Sequence, residues 1–167
     1  MDFKTALEYS IVNQELYGGF ESFSTTKVAV LKVKKASAFP EQGIDLVFLE
    51  NPLKQLSVIA IRGSASATDW CSPTEPSKIK YEFVKEIKKD IDAKNEELVY
   101  PKIYGKSRQS IKIRSGFIAA YLSIRNTIHS YIQNSNHTCY HITGYSLGGA
   151  LATLCAIDVQ YIFGKQI

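Results

Sequence analysis

Cys139-Tyr140-His141-Ile142-Thr143 runs directly into Gly144-Tyr145-Ser146-Leu147-Gly148, and that pentapeptide into Gly149-Ala150-Leu151-Ala152-Thr153-Leu154-Cys155-Ala156. The first stretch is a short, mostly apolar run, as a strand His137–Thr143 would be, and the last reads as a helix rich in small residues. Between them the chain spells G-x-S-x-G. A serine flanked by glycines at a strand-to-helix junction sits on a sharp, exposed turn, with the glycines standing where side chains would meet the neighbouring strand and helix. The helix that follows points its N-terminus at the serine. Its unpaired N–H groups and its dipole favour negative charge there.

A serine hydroxyl is a poor nucleophile by itself. It needs exposure, a base, and donors for the oxyanion that forms on attack. The turn supplies exposure for Ser146, with Gly144 and Gly148 as its small neighbours, and the Leu147 N–H is the expected first oxyanion donor. A second donor has to come from another loop at the same sheet edge. Leu56-Ser57-Val58-Ile59-Ala60-Ile61 is almost entirely apolar, as a strand covered on both faces should be, and it ends in Arg62-Gly63-Ser64. Gly63 allows a close backbone approach, and Ser64 offers both an N–H and a hydroxyl. The alternative for Ser64 is an ordinary polar loop start.

Around these two strands the pattern predicts further elements. Phe3–Tyr17 reads as a helix with Phe3, Leu7, Ile11 and Val12 on one face, stopped by Gly18-Gly19. Val28–Val33 and Ile44–Leu49 read as strands, the second ended by Asn51-Pro52. Residues 64–77 form a loop rich in Ser, Thr, Ala and Pro; Lys78–Leu98 is open between a charged helix and an irregular insertion. Phe117–Gln133 carries a helical stripe of Phe117, Tyr121, Ile124, Ile128, Tyr131 and Ile132. Leu147–Tyr161 is the helix after the serine, with Gly164 as its stop.

The 167 residues are one domain by length, 45% hydrophobic and 22% charged, with a net charge of +4. Lys78–Arg114 holds 11 of the 20 basic residues and 6 of the 16 acidic ones. Such mixing suits a solvated face first and contact with an anionic lipid surface second, and it does not resemble a nucleic-acid module. Cys71, Cys139 and Cys155 are three, without C-x-x-C spacing, so no disulfide framework or zinc site is expected and a reducing, cytoplasmic setting fits. No signal-peptide pattern and no 18-residue apolar span is expected.

Three ordered blocks resemble the class 3 (fungal-type) lipases of the α/β-hydrolase superfamily. They are Val58–Ser64 with Asp69-Trp70 after it, Arg114-Ser115-Gly116-Phe117 with Tyr121, and Ile142–Asp158. The resemblance implies a nucleophile elbow with Ser146 as nucleophile, Leu147 and Ser64 as oxyanion donors, and Asp69 and Trp70 at a mobile lid. It implies hydrolysis of carboxylic esters in acylglycerols or related lipids, without metal or organic cofactor. Tyr145 and Arg114 stand where the family usually has His. The fold expected is α/β, an α/β-hydrolase-type, mostly parallel sheet flanked by helices and truncated after the elbow helix.

In the family the catalytic Asp and His follow the elbow helix, beyond residue 167. Asp158 is the only acidic residue after Ser146, and 12 helical positions place it roughly 18 Å away. His141 lies about 10 Å below Gly144 along the strand, His137 begins that strand, and His129 lies late in the preceding helix. None is positioned as the base. The expectations are therefore a lipase-like serine hydrolase lacking the rest of its triad, or an inactive lipase-like domain that binds lipid or protein. An open edge beside the elbow strand would leave these residues marginally folded or dependent on a partner chain that supplies further strands.

Overall fold

The computed structural model describes residues 2–18, 23, 31–39, 43–63 and 115–167. Among the described residues, three helices and four strands follow one another as α1 (Phe3–Gly18), β1 (Lys32–Phe39), β2 (Ile44–Asn51), β3 (Leu56–Arg62), α2 (Ser115–Gln133), β4 (Cys139–Tyr145) and α3 (Leu147–Phe163). The strands form one sheet in the order β1-β2-β3-β4.

The sheet is mixed where the sequence suggests a mostly parallel one. β1–β2 and β2–β3 are antiparallel, and β3–β4 is parallel. Loop length decides this. Only Pro52–Gln55 separates β2 from β3, and four residues can reverse the chain but cannot return it to the same end of the sheet. The Asn51 side chain accepts from the Leu53 N–H at 3.0 Å, its carbonyl accepts from the Lys54 N–H at 3.2 Å, and Gln55 completes the turn at φ 49°. The long crossover from β3 to β4, which includes α2, permits their parallel pairing. β1 occupies Lys32–Phe39 rather than Val28–Val33; residues 28–30 of that expectation lie outside the described residues.

The strands have two buried faces. On β2 and β3, Ile44, Leu46, Phe48, Ile59 and Ile61 pack against α2 and α3, while Val47, Leu49, Val58 and Ala60 pack against α1. The two-residue alternation of a pleated strand sorts them, giving helix, sheet and helix layers. α2 buries Tyr121, Ile124, Ile128, Tyr131 and Ile132 of its expected stripe, with Phe117 half-buried. α3 ends where Gly164 takes φ 59° and donates its N–H to the Gln160 carbonyl at 3.1 Å.

α1 buries only part of the expected face: Val12 is buried and Ile11 packs beside it, while its first turns face outward. Its buried residues are Tyr9, Val12 and Leu16, whereas Phe3 is 84% and Leu7 51% exposed. The reason is the partner surface. Tyr9, Asn13 and Tyr17 meet His141, Thr143 and Tyr145 of β4 through hydrogen bonds. Four helical residues advance about 6 Å and two strand residues about 6.7 Å, so the two rows stay in step. Asp2 starts α1 by accepting from the Thr5 N–H at 2.8 Å; that bond, first among the causes, lowers its pKa.

Cys155 is buried and Cys139 half-buried, both as free thiols; Cys71 lies outside the described residues. Among the described residues β4 is an edge strand, paired on one side with β3 and on the other only by an isolated bridge from Cys139 to Gln166. No described helix is long and apolar enough to cross a membrane.

Phe48 is fully buried and stacked on Tyr131 at 4.2 Å between ring centroids. Phe48→Ala is expected to lower unfolding free energy by about 3–5 kcal/mol in urea denaturation. A loss below about 1 kcal/mol would contradict this packing.

Candidate active site

The junction of β4 and α3 is built from backbone. Ser146 takes φ 55° and ψ −124°, a region that a residue with a Cβ enters at a cost of about 1–3 kcal/mol. It is exposed, and although it stands at the N-cap of α3, its side chain makes no capping hydrogen bond. Its carbonyl accepts from the N–H groups of Gly149 at 3.0 Å and Ala150 at 3.3 Å. The N–H groups of Leu147 and Gly148 open the helix and have no intrahelical acceptor. No acidic residue stands in the first turn of α3, so none of that turn's own side chains offsets its positive end.

Two glycines of the motif allow the close packing. A Cβ on Gly148 would lie 2.0 Å from the Ile61 carbonyl oxygen, and one on Gly144 would lie 2.2 Å from the Gly148 carbonyl oxygen. β3 arrives at the same place, since a Cβ on Gly63 would lie 2.5 Å from the Leu147 Cβ. Thus Gly144, Ser146, Leu147 and Gly148 come together with the end of the strand that leads to Ser64. Ser64, Asp69, Trp70 and Arg114 themselves lie outside the described residues.

Beside Ser146 stands a polar cluster that apolar periodicity does not pick out. Arg62, paired across the ladder with Tyr145, donates from Nη1 to the Asp45 carboxylate at 2.7 Å. Its guanidinium lies over the Tyr17 ring at 5.4 Å. The Tyr17 hydroxyl donates to the Tyr145 carbonyl at 3.1 Å, and the two rings meet edge-on at 5.6 Å and 82°. Tyr145 is itself 66% exposed next to Ser146. The sequence signal was available: Tyr9, Asn13 and Tyr17 recur every four residues on α1.

All three histidines of the chain are engaged with partners other than Ser146. His141 bonds the Tyr9 hydroxyl through Nδ1; burial, followed by nearby cations, lowers its pKa. His137 lies 3.4 Å from Glu50. His129 is buried and bonds Asp158 through Nε2 at 2.7 Å.

Asp158 is the centre of a closed cluster between α2 and α3. Its Oδ2 accepts from the Tyr121 hydroxyl at 2.5 Å, Arg125 Nε at 2.8 Å and His129, while Oδ1 accepts from Arg125 Nη2 at 3.2 Å. Asp158 and Arg125 are fully buried. Burial raises the carboxyl pKa, but the hydrogen bonds from His129 and Arg125 outweigh it, and the net shift is downward. Burial likewise pushes the Tyr121 hydroxyl well up, which keeps it a donor. Asp158 thus joins two helices.

Residues 58–163 match the sequence model of the lipase (class 3) family. No curated protein matches the chain in sequence. Among solved structures, the chain is similar to a triacylglycerol lipase whose catalytic centre is described as a serine protease triad, with 18% identity and a TM-score of 0.60 over 94% of this chain and 54% of that one. It is similar to the native Rhizomucor miehei lipase propeptide complex, with 17% identity and a TM-score of 0.58 over 96% and 47%. It is also similar to Lip2 lipase from Yarrowia lipolytica, with 15% identity and a TM-score of 0.54 over 96% and 56%. The chain spans about half the length of these structures, and at these identities the likeness is one of fold.

Gly148→Ala is expected to destabilise by about 1–3 kcal/mol or more, read by urea denaturation, because the Ile61 carbonyl cannot swing away without breaking the ladder. Near-neutral behaviour would show the elbow packed less tightly. Asp158→Asn is expected to cost about 3–5 kcal/mol at pH 7. The folded pKa of Asp158 is depressed, so its contribution is present above the unfolded value of about 3.9 and disappears as pH falls through the folded value. The gap between the two proteins, followed by denaturation from pH 7 downward, should narrow below about pH 4. A constant gap would contradict the assignment.

Proposed function

The chain belongs to the lipase (class 3) family, and from that premise we propose that it carries the nucleophile of a lipase-type serine hydrolase acting on carboxylic esters of acylglycerols or related lipids. The observation that carries this reading is Ser146 itself: an exposed side chain without a capping hydrogen bond, on a backbone held in a costly conformation at the N-terminus of α3. Strain of this kind persists only where the surroundings over-determine it.

In the proposed reaction the Ser146 Oγ attacks the acyl carbonyl carbon and the carbonyl oxygen gathers negative charge. The Leu147 N–H, at the positive end of α3, is the first donor to that oxyanion. Ser64, immediately after Gly63, is the second, through its N–H or its hydroxyl. Loss of one such donor typically lowers turnover about 10²–10³-fold. Asp69 and Trp70 take the lid positions, and Tyr145 offers an exposed ring beside the reacting atom. No metal or organic cofactor enters this chemistry.

The base is assigned to none of the three histidines here, because each is committed to another partner. It and its orienting acid are placed on sequence beyond these 167 residues, whether continuous with them or on a partner chain. That same commitment of the histidines supports a second reading, in which these residues act by themselves as a lipid- or protein-binding lipase-like domain.

A fluorophosphonate probe reacts with a serine that a base activates, so it is applied to the 167 residues alone and to these residues joined to the segment that supplies the base. Peptide mass mapping is expected to place the adduct on Ser146 of the joined protein, with none on its Ser146→Ala variant and little on the 167 residues alone. Ester hydrolysis by the 167 residues alone is expected near background. Absence of an adduct on the folded, joined protein would favour the binding domain over the hydrolase.

A further inference from the structure

We infer that Tyr17 is a positioning residue for Ser146, holding the Tyr145–Ser146 peptide in the orientation that the strained serine requires; the inference rests on the reading of Ser146 as nucleophile. The carbonyl that Tyr17 grips belongs to the peptide that enters Ser146. Rotation of that peptide plane changes ψ of Tyr145 and φ of Ser146 together. On the other side, the Ser146 carbonyl is held by the Gly149 and Ala150 N–H groups. Both peptides flanking the serine are therefore gripped, one by the first turn of α3 and one by the last turn of α1.

Tyr17 is itself fixed from several directions. Its ring takes the Arg62 guanidinium on its face and meets the Tyr145 ring edge-on. Arg62 is tied to Asp45 on β2, so the ends of β2, β3 and β4 all bear on one side chain. Burial raises the Tyr17 pKa, against the opposing influence of Arg62 and the Gly63 amide, which leaves the hydroxyl a proton donor at neutral pH. A side chain serving only the core would not need its hydroxyl on this carbonyl; Val12 and Leu16 already bury this part of the helix.

The test compares the full chain with Tyr17→Phe, which keeps the ring and loses the hydroxyl, and Tyr17→Ala. Fluorophosphonate labelling of Ser146 is followed by mass spectrometry over probe concentration, with the segment that supplies the base joined to each protein, to separate binding from the bond-forming rate constant. Amide hydrogen exchange is followed at Ser146–Gly149 and, as reference, at Ile124–Ile128 in α2. In Tyr17→Phe the bond-forming constant is expected to fall roughly three- to tenfold, the range one hydrogen bond supports. Probe binding should be unchanged, and exchange should rise at the elbow but not in α2. Tyr17→Ala should exceed both effects. An unchanged rate constant in a labelled protein, unchanged elbow exchange, or exchange rising equally in α2 would each overturn the positioning role. If the parent protein takes no label, the nucleophile reading fails; a local rise in elbow exchange then still supports the grip of Tyr17 on the elbow, and its absence refutes it.

Discussion

Where β4 turns into α3, the Ile61 carbonyl of β3 occupies the space that a side chain on Gly148 would need. This approach of two backbones ties the site to the sheet. It brings the first turn of α3 against the end of β3, so that the Leu147 N–H and the chain leading to Ser64 converge on one point. It also leaves Ser146 few alternatives. With Gly144 against the Gly148 carbonyl, the chain cannot relax into an ordinary turn without pulling the helix off the strand. The cost of the serine's conformation is met by packing around it rather than by any bond of its own side chain.

The two helical layers share the task of keeping that junction in place. On one face α1 follows β4 step for step, with Tyr9 on His141, Asn13 on Thr143 and Tyr17 on Tyr145. On the other face α3 is joined to α2 through the Asp158 carboxylate and its donors on Tyr121, Arg125 and His129. A buried ion pair of this sort is weak as net stabilisation but specific in register, because removing either partner strands a charge in the core. Here it sets how α3 lies along α2, and α3 in turn carries the serine at its first turn.

Much of this was legible in local patterns. The β3 run and the small-residue start of α3 are nearest-neighbour signals, and they place Gly63, Gly144, Ser146, Leu147 and Gly148 correctly relative to one another. The buried face of α1 was only partly legible by apolarity: Val12 and Ile11 pack inward, but Phe3 and Leu7 face outward while Tyr9, Asn13 and Tyr17 are held by hydrogen bonds to a strand more than a hundred residues away. Strand direction was likewise missed at β1 and β2, although the four residues Pro52–Gln55 contain the answer. Distance along the helix removes Asp158 from the serine but gives it no task. Its task shows in α2, where Tyr121, Arg125 and His129 recur every four residues inside an otherwise apolar stripe.

The central claim is that backbone packing, rather than a side-chain bond, holds Ser146 in a strained and exposed conformation. A crystal structure of the chain fine enough to fix main-chain dihedrals addresses it most directly. The account predicts Ser146 at positive φ near 55°, with the Gly148 Cα pressed on the Ile61 carbonyl and the serine hydroxyl free of any capping bond. Ser146 at negative φ, capping α3 with its own hydroxyl, would contradict it.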